Sequence, residues 1–126
     1  MFQIVVDSAA NIPAELVKKY QIQVLSFVNY VDGKELVCFD PSLSPEEERE
    51  KGKKYYDAMR AGMDVKTGLI SSGDFENCFR SIMEQNEDVL YFSLSKNISG
   101  TFNSARLAAE TLMENPPCGR KIRMID

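Results

Sequence analysis

Apolar positions along the chain alternate between short contiguous runs and helical spacing. Gln3-Ile4-Val5-Val6 reads as a short buried strand closed by Asp7-Ser8, and Asn11 and Pro13 then mark a helix start, so Ala14 to Tyr20 is predicted helical. Ile22 to Val31 is a second strand-like run. Asp32-Gly33 is a tight-turn pair leading into Glu35 to Phe39, and the spacing predicts a hairpin. Ser44-Pro45-Glu46-Glu47 places a capping serine, a proline at the first helical position and a glutamate able to close a capping box. That helix is expected to run to about Ala61, with Gly62 as its stop. Val65 to Ser71 reads as a connection or edge strand. Ser72-Gly73-Asp74-Phe75 opens another helix, whose stripe of Phe75, Cys78, Phe79, Ile82 and Met83 faces a core. Val89 to Leu94 is an apolar strand, after which Phe102, Ala105, Ala109 and Leu112 recur at helical spacing. Asn115 to Gly119 ends that helix, and Lys121 to Asp126 forms a last strand.

Strands alternating with helices predict an α/β fold: a largely parallel β-sheet with helices packed on both faces. Ligands in such sheets sit outside the carboxyl ends of the strands. Three polar loops are expected at such ends: Asp7-Ser8, Thr67 to Ser72, and Ser95 to Thr101. With the first and third strands as neighbours, they would share one rim. The chain stops at Asp126, directly after a strand, which leads us to expect that residues 1–126 are one domain of a longer protein.

The loop Ser99-Gly100-Thr101 lies between a strand and a helix start, where unpaired backbone N–H groups, hydroxyls and the helix dipole converge. Two readings stay open: Ser99 or Thr101 simply caps the helix, or the loop holds a phosphate or carboxylate. Composition narrows the wider choices. Hydrophobic content of 44% and charged content of 27% describe an ordinary globular chain. Fifteen basic against 19 acidic residues give a net charge of −4 without a basic stripe, which argues against a nucleic-acid partner. No histidine is present, so no Ser-His-Asp triad, Cys-His pair or HExxH site exists within the chain. Glu46, Glu47 and Glu48 are adjacent on a helix and cannot converge on one metal ion. Cys38, Cys78 and Cys118 are odd in number and widely spaced, which suits reduced thiols in the cytoplasm. No segment has the length of a bilayer span.

Four segments together resemble the DegV family of bacterial lipid-binding proteins. They are Ile4 to Pro13 with its Asp7-Ser8 turn, Lys66 to Phe75, Ser95 to Ala105 with its Ser99-Gly100-Thr101 loop, and the closing Ile122 to Asp126. Ile70 stands where the family usually carries proline. The resemblance implies an N-terminal α/β domain of a two-domain DegV-like fold. It also implies a long-chain fatty acid in an apolar tunnel, with no further cofactor. By position, Thr67 and Ser99 would hydrogen-bond the carboxylate, with Gly100 and Thr101 supplying the loop and backbone donors. Ile70, Leu94, Ile98 and Phe102 are candidates for the tunnel wall, though core packing is the commoner role for each such residue. The family resemblance implies a carrier rather than an enzyme. A separate fatty acid kinase would form the acyl phosphate used in phospholipid synthesis, and any membrane contact would be transient. The alternative function is a phosphate-ester-binding or phosphotransferase-related α/β domain using Ser95, Ser99 and Thr101, but no Walker-type loop is present. A third reading has these loops only capping helices.

Overall fold

The computed structural model describes residues 1–126. In chain order the elements begin β1 (Phe2–Asp7), α1 (Ala14–Lys19), β2 (Gln23–Leu25), β3 (Val28–Val31), β4 (Lys34–Val37) and α2 (Pro45–Arg60). They continue with β5 (Val65–Gly68), α3 (Ser72–Glu84), β6 (Asp88–Phe92), α4 (Thr101–Glu114) and β7 (Ile122–Ile125). β2, β1, β6 and β7 form, in that spatial order, an all-parallel sheet. β4, β3 and β5 form a separate antiparallel sheet. The parallel sheet and its flanking helices match the expectation; the second sheet does not appear in it. No helix is long and apolar enough to cross a membrane.

Side-chain alternation along β1 divides the interior. Val5 joins Val89 and Tyr91 beneath α3 and α4, where Phe75, Phe79, Met83 and Leu112 are fully buried or nearly so. Val6, on the other face, is buried outside that cluster, as are Ala14 and Val17 of α1. The buried stripe of α4 is Thr101, Ala105, Ala108 and Leu112. Phe102 and Ala109, expected in that stripe, are half-buried beside it. Small side chains at 105 and 108 let α4 lie close against α3.

The Ile22 to Val31 run is not one strand. The chain leaves the parallel sheet after Leu25, turns at Ser26-Phe27, and enters the small sheet at Val28. Two hydroxyls divert the backbone there. Phe27 N–H donates to Ser8 Oγ at 2.9 Å, Phe39 N–H donates to Ser26 Oγ at 3.2 Å, and the Phe27 ring is buried in the core. The hairpin after it forms as expected, with Asp32 at φ 48° and Gly33 at φ 78°, both in the left-handed region a two-residue turn requires. The capping box of α2 is also present: Glu47 N–H donates to Ser44 Oγ at 3.2 Å and Ser44 N–H to Glu47 Oε2 at 2.7 Å.

Asp7 fixes the carboxyl ends of β1 and β6 relative to one another. It is 2% exposed. Its Oδ1 accepts Ala9 N–H at 3.0 Å, and its Oδ2 accepts Leu94 N–H and the Tyr91 hydroxyl, each at 3.1 Å. The Tyr91 ring lies edge-on to Phe75 with centroids 5.1 Å apart, so aromatic packing sets where the hydroxyl points. Burial and the neighbouring carboxylate hold the Tyr91 phenol neutral well above its usual range. A buried carboxylate is tolerable only when its oxygens are satisfied, and here three donors satisfy them.

Removing the carboxylate strands the Ala9 and Leu94 N–H groups and leaves the Tyr91 hydroxyl only Ser93 Oγ, at 3.3 Å, so Asp7→Ala is expected to cost about 3 kcal/mol or more. Tyr91→Phe, which leaves Leu94 N–H and Ala9 N–H paired, is expected to cost about 1–2 kcal/mol; urea unfolding of both variants measures the difference. Burial pushes the Cys78 thiol from 9.0 up to about 11. Between those values the unfolded chain has lost a proton that the folded chain keeps, so ionisation favours unfolding. The Cys78 contribution is therefore fully present below pH 9 and lost as pH rises toward about 11. Thermal melts should show a shallower alkaline decline in Cys78→Ala than in the parent chain.

Candidate functional site

An open cleft of about 930 Å³ lies where the rims of the two sheets meet α2. Its floor is one face of the small sheet. Leu36, Asn29 and Thr67 are register partners across β4, β3 and β5 and lie in one row beneath the opening. Its roof is one face of α2, where Glu48, Arg49, Gly52, Tyr55 and Tyr56 recur at helical spacing. Its end wall is the carboxyl rim of the parallel sheet: Asp7 at the end of β1 and Ser8 after it, and Leu94, Ile98, Ser99 and Gly100 after β6. Half of the lining residues are hydrophobic, among them Ile12, Val24, Phe27 and Leu43.

α2 buries none of its residues. It is tied to the body by polar contacts: Asn29 Nδ2 donates to the Tyr55 hydroxyl at 2.9 Å, Lys51 Nζ to Val37 O at 3.4 Å, and Ala14 N–H to Glu48 Oε2 at 3.5 Å. It spans the cleft and does not pack down on the sheet. Desolvation beside it raises the Tyr55 phenol and the Cys38 thiol above their ordinary values.

The polar end of the cleft is the Ser99 loop. Thr101 N–H donates to Ser99 Oγ at 3.2 Å, and the Ser99 and Thr101 hydroxyls are 2.9 Å apart. Ser99 therefore satisfies one of the free N–H groups at the start of α4, which is the capping reading, while also lining the cleft. Gly100 N–H donates to no protein acceptor. A Cβ at Gly100 would stand 3.2 Å from Leu69 Cδ1, so glycine allows the loop before α3 to approach the Ser99 loop. Thr67 is exposed, and its hydroxyl makes no hydrogen bond within the protein.

The expected rim forms, with one change of origin. Thr67 is not on a loop at the end of a parallel strand; it lies within β5, and the small sheet carries it to the cleft. Thr67, Ser99 and Gly100 meet there with Leu94 and Ile98. Thr101 is fully buried beneath Ser99 and does not line the cleft. Ile70 and Phe102 do not line it either. Ile70 is 4% exposed in the core cluster with Phe75 and Phe79, and Phe102 lies on a neighbouring face of α4. Sequence reasoning missed Asn29, Leu36 and Tyr55. Only the β3–β4 hairpin hinted at the first two, because a residue opposite its turn must face one side of a sheet.

No three His, Cys, Asp or Glu side chains converge on a common point. Hydroxyls and an unpaired N–H at one end of an apolar cleft suit an amphiphile with an anionic head.

The profile of a family described as "Uncharacterised protein, DegV family" matches residues 1–126. A DegV domain-containing protein of Clostridium perfringens is 32% identical over 126 residues, which is 99% of this chain and 40% of that protein. A protein of Thermotoga maritima named fatty acid-binding protein is 35% identical over 111 residues, 86% of this chain and 36% of its own length. Among solved structures, a stearic acid-binding protein from Eubacterium ventriosum superposes with a TM-score of 0.80 at 27% identity, covering 100% of this chain and 41% of that one. A Thermotoga maritima protein described as revealing fatty acid binding function gives a TM-score of 0.74 at 28% identity, over 99% of this chain and 42% of that one. The chain thus spans about two fifths of the length of the curated relatives it matches. A match along all of its residues means that the chain belongs to the DegV family.

Proposed function

We propose that this chain binds a long-chain fatty acid, with the carboxylate at the Thr67, Ser99 and Gly100 rim and the acyl tail along the cleft. The observation that carries the reading is the junction of an apolar cleft of about 930 Å³ with hydroxyls and a free N–H at one end. Cofactor and drug-sized sites commonly enclose ~300–1,000 Å³. Each buried methylene contributes about 0.8 kcal/mol, so the tail dominates affinity. The head is then held at the open rim, where hydroxyls and an N–H can donate to it. Thr101 supports Ser99 from below and does not touch the ligand. Relatives described as fatty-acid-binding or stearic acid-binding proteins support the same ligand class.

The chain acts in this reading as a cytoplasmic carrier. Thr67 and Gly100 are exposed, which leaves the carboxylate end open to a second protein. We assign the phosphorylation of that carboxylate to a separate fatty acid kinase, because the carboxylate is itself the nucleophile and this chain carries no Walker-type GxxxxGK[ST] loop to hold a phosphoryl donor.

Thr67 and Ser99 separate binding from stability. Thr67→Val keeps the branched shape and strands no protein group. It should weaken fatty-acid binding about tenfold or more, as expected for losing a hydrogen bond to a charged group, with the melting temperature unchanged. Ser99→Ala removes a ligand contact and the partner of Thr101 N–H, so it should weaken binding and also lower stability by about 1 kcal/mol. Calorimetric titration with oleate and thermal melts check both. Wild-type affinity in Thr67→Val would contradict the assignment.

A further inference from the structure

Asn29 and Thr67 are register partners on β3 and β5, and both line the cleft. Antiparallel neighbours hold such partners on one face of the sheet with Cβ atoms about 4.5–5.5 Å apart. Each is also two residues from a point fixed to the rim. Phe27, before Asn29, is tied to Ser8 Oγ at 2.9 Å, and the Leu69 side chain, after Thr67, approaches Gly100. The floor therefore brings two polar side chains to the polar end of the cleft. Asn29 is 9% exposed, and its Nδ2–H is given to the Tyr55 hydroxyl of α2 at 2.9 Å, so floor and roof meet beside Thr67. A hydroxyl that accepts through its oxygen still has a proton to donate, and the Tyr55 O–H donates to no acceptor in the protein. Tyr56 meets the Tyr55 ring edge-on with centroids 5.5 Å apart, which fixes its plane. Desolvation raises the phenol above its ordinary range, so at neutral pH it keeps that proton.

We propose that Tyr55 is a further head-group ligand: its hydroxyl, aimed by Asn29, donates to the fatty-acid carboxylate beside Thr67. This inference rests on the fatty-acid reading above and adds to it a donor from α2. The carboxylate would then be met from the floor by Thr67, from the end wall by Ser99 and Gly100, and from the roof by Tyr55. Asn29 is a positioning residue in this arrangement, since it acts on the ligand through the phenol. Hydrogen bonds to a charged acceptor are roughly twice as strong as neutral ones. The phenol should therefore favour a carboxylate over an uncharged head on the same tail.

The test is the affinity of the parent, Tyr55→Phe and Asn29→Ala for oleate and for oleyl alcohol, which carries the same tail on an uncharged head. Tyr55→Phe keeps the ring and removes the hydroxyl. It should weaken oleate binding about tenfold and oleyl alcohol binding by a smaller factor, so the ratio of the two affinities falls. A role confined to packing, or to tying α2 to the sheet, would lower both by one factor and leave that ratio at its parental value. Asn29→Ala keeps the phenol but frees it to turn, and should move the ratio in the same direction by less. A parental ratio in Tyr55→Phe, or in Asn29→Ala where Tyr55→Phe does not fold, overturns the inference and leaves the fatty-acid reading standing. Absence of saturable oleate binding by the parent chain overturns the fatty-acid reading and this inference with it.

Discussion

The Asp7 carboxylate is the interaction on which the arrangement of the rim depends. Parallel neighbours β1 and β6 would align through their ladder alone, but nothing in a ladder dictates how the chain leaves each strand. Asp7 does so by accepting Ala9 N–H from its own exit and Leu94 N–H from the other. Tyr91 adds a third donor from within β6 and anchors the group to the aromatic core of Phe75 and Phe79. Both exits are therefore held to a buried point. Ser8, the next residue, then accepts Phe27 N–H and sends the chain into the small sheet. One buried acid and one adjacent hydroxyl position the end wall and the floor of the cleft.

The cleft is a consequence of this division of labour. α3 and α4 bury their apolar stripes against one face of the parallel sheet and make the core. α2 has no comparable stripe, buries nothing, and crosses above the small sheet on polar contacts. A helix held in that way leaves room beneath it for an apolar occupant. The hydroxyl end and the apolar body of the cleft come from different elements, and their meeting gives an amphiphile both of the environments it needs.

What could be read in the sequence follows from the range of the interactions. Ser44, Pro45 and Glu47 announce α2 because capping is settled within four residues, and Asp32-Gly33 announces a hairpin for the same reason. The Ser99-Gly100-Thr101 loop was legible as a hydroxyl-bearing strand-to-helix turn for that reason too. The break at Ser26-Phe27 was not, since it is made by Ser8 and Phe39, 19 and 13 residues away in the chain. Ile70 and Phe102 look like wall residues in sequence because an apolar neighbour of a site cannot be told from a core residue without the fold; Ile70 proves to be core. The cleft face of α2 was invisible for the opposite reason. Glu48, Arg49 and Gly52 carry no apolar periodicity, and only the position of the helix over the small sheet gives them a common role.

The most direct test of a carboxylate rim joined to an acyl cleft is an amide NMR titration of this chain with a long-chain fatty acid, with inorganic phosphate as the comparison. The account predicts saturable shifts at Thr67 and from Ser99 to Thr101, accompanied by shifts along Asn29, Leu36 and Gly52 to Tyr56, with the fatty acid alone. Shifts confined to the Ser99 loop and reproduced by phosphate would contradict it, because the site would then be an anion cradle with no role for the cleft.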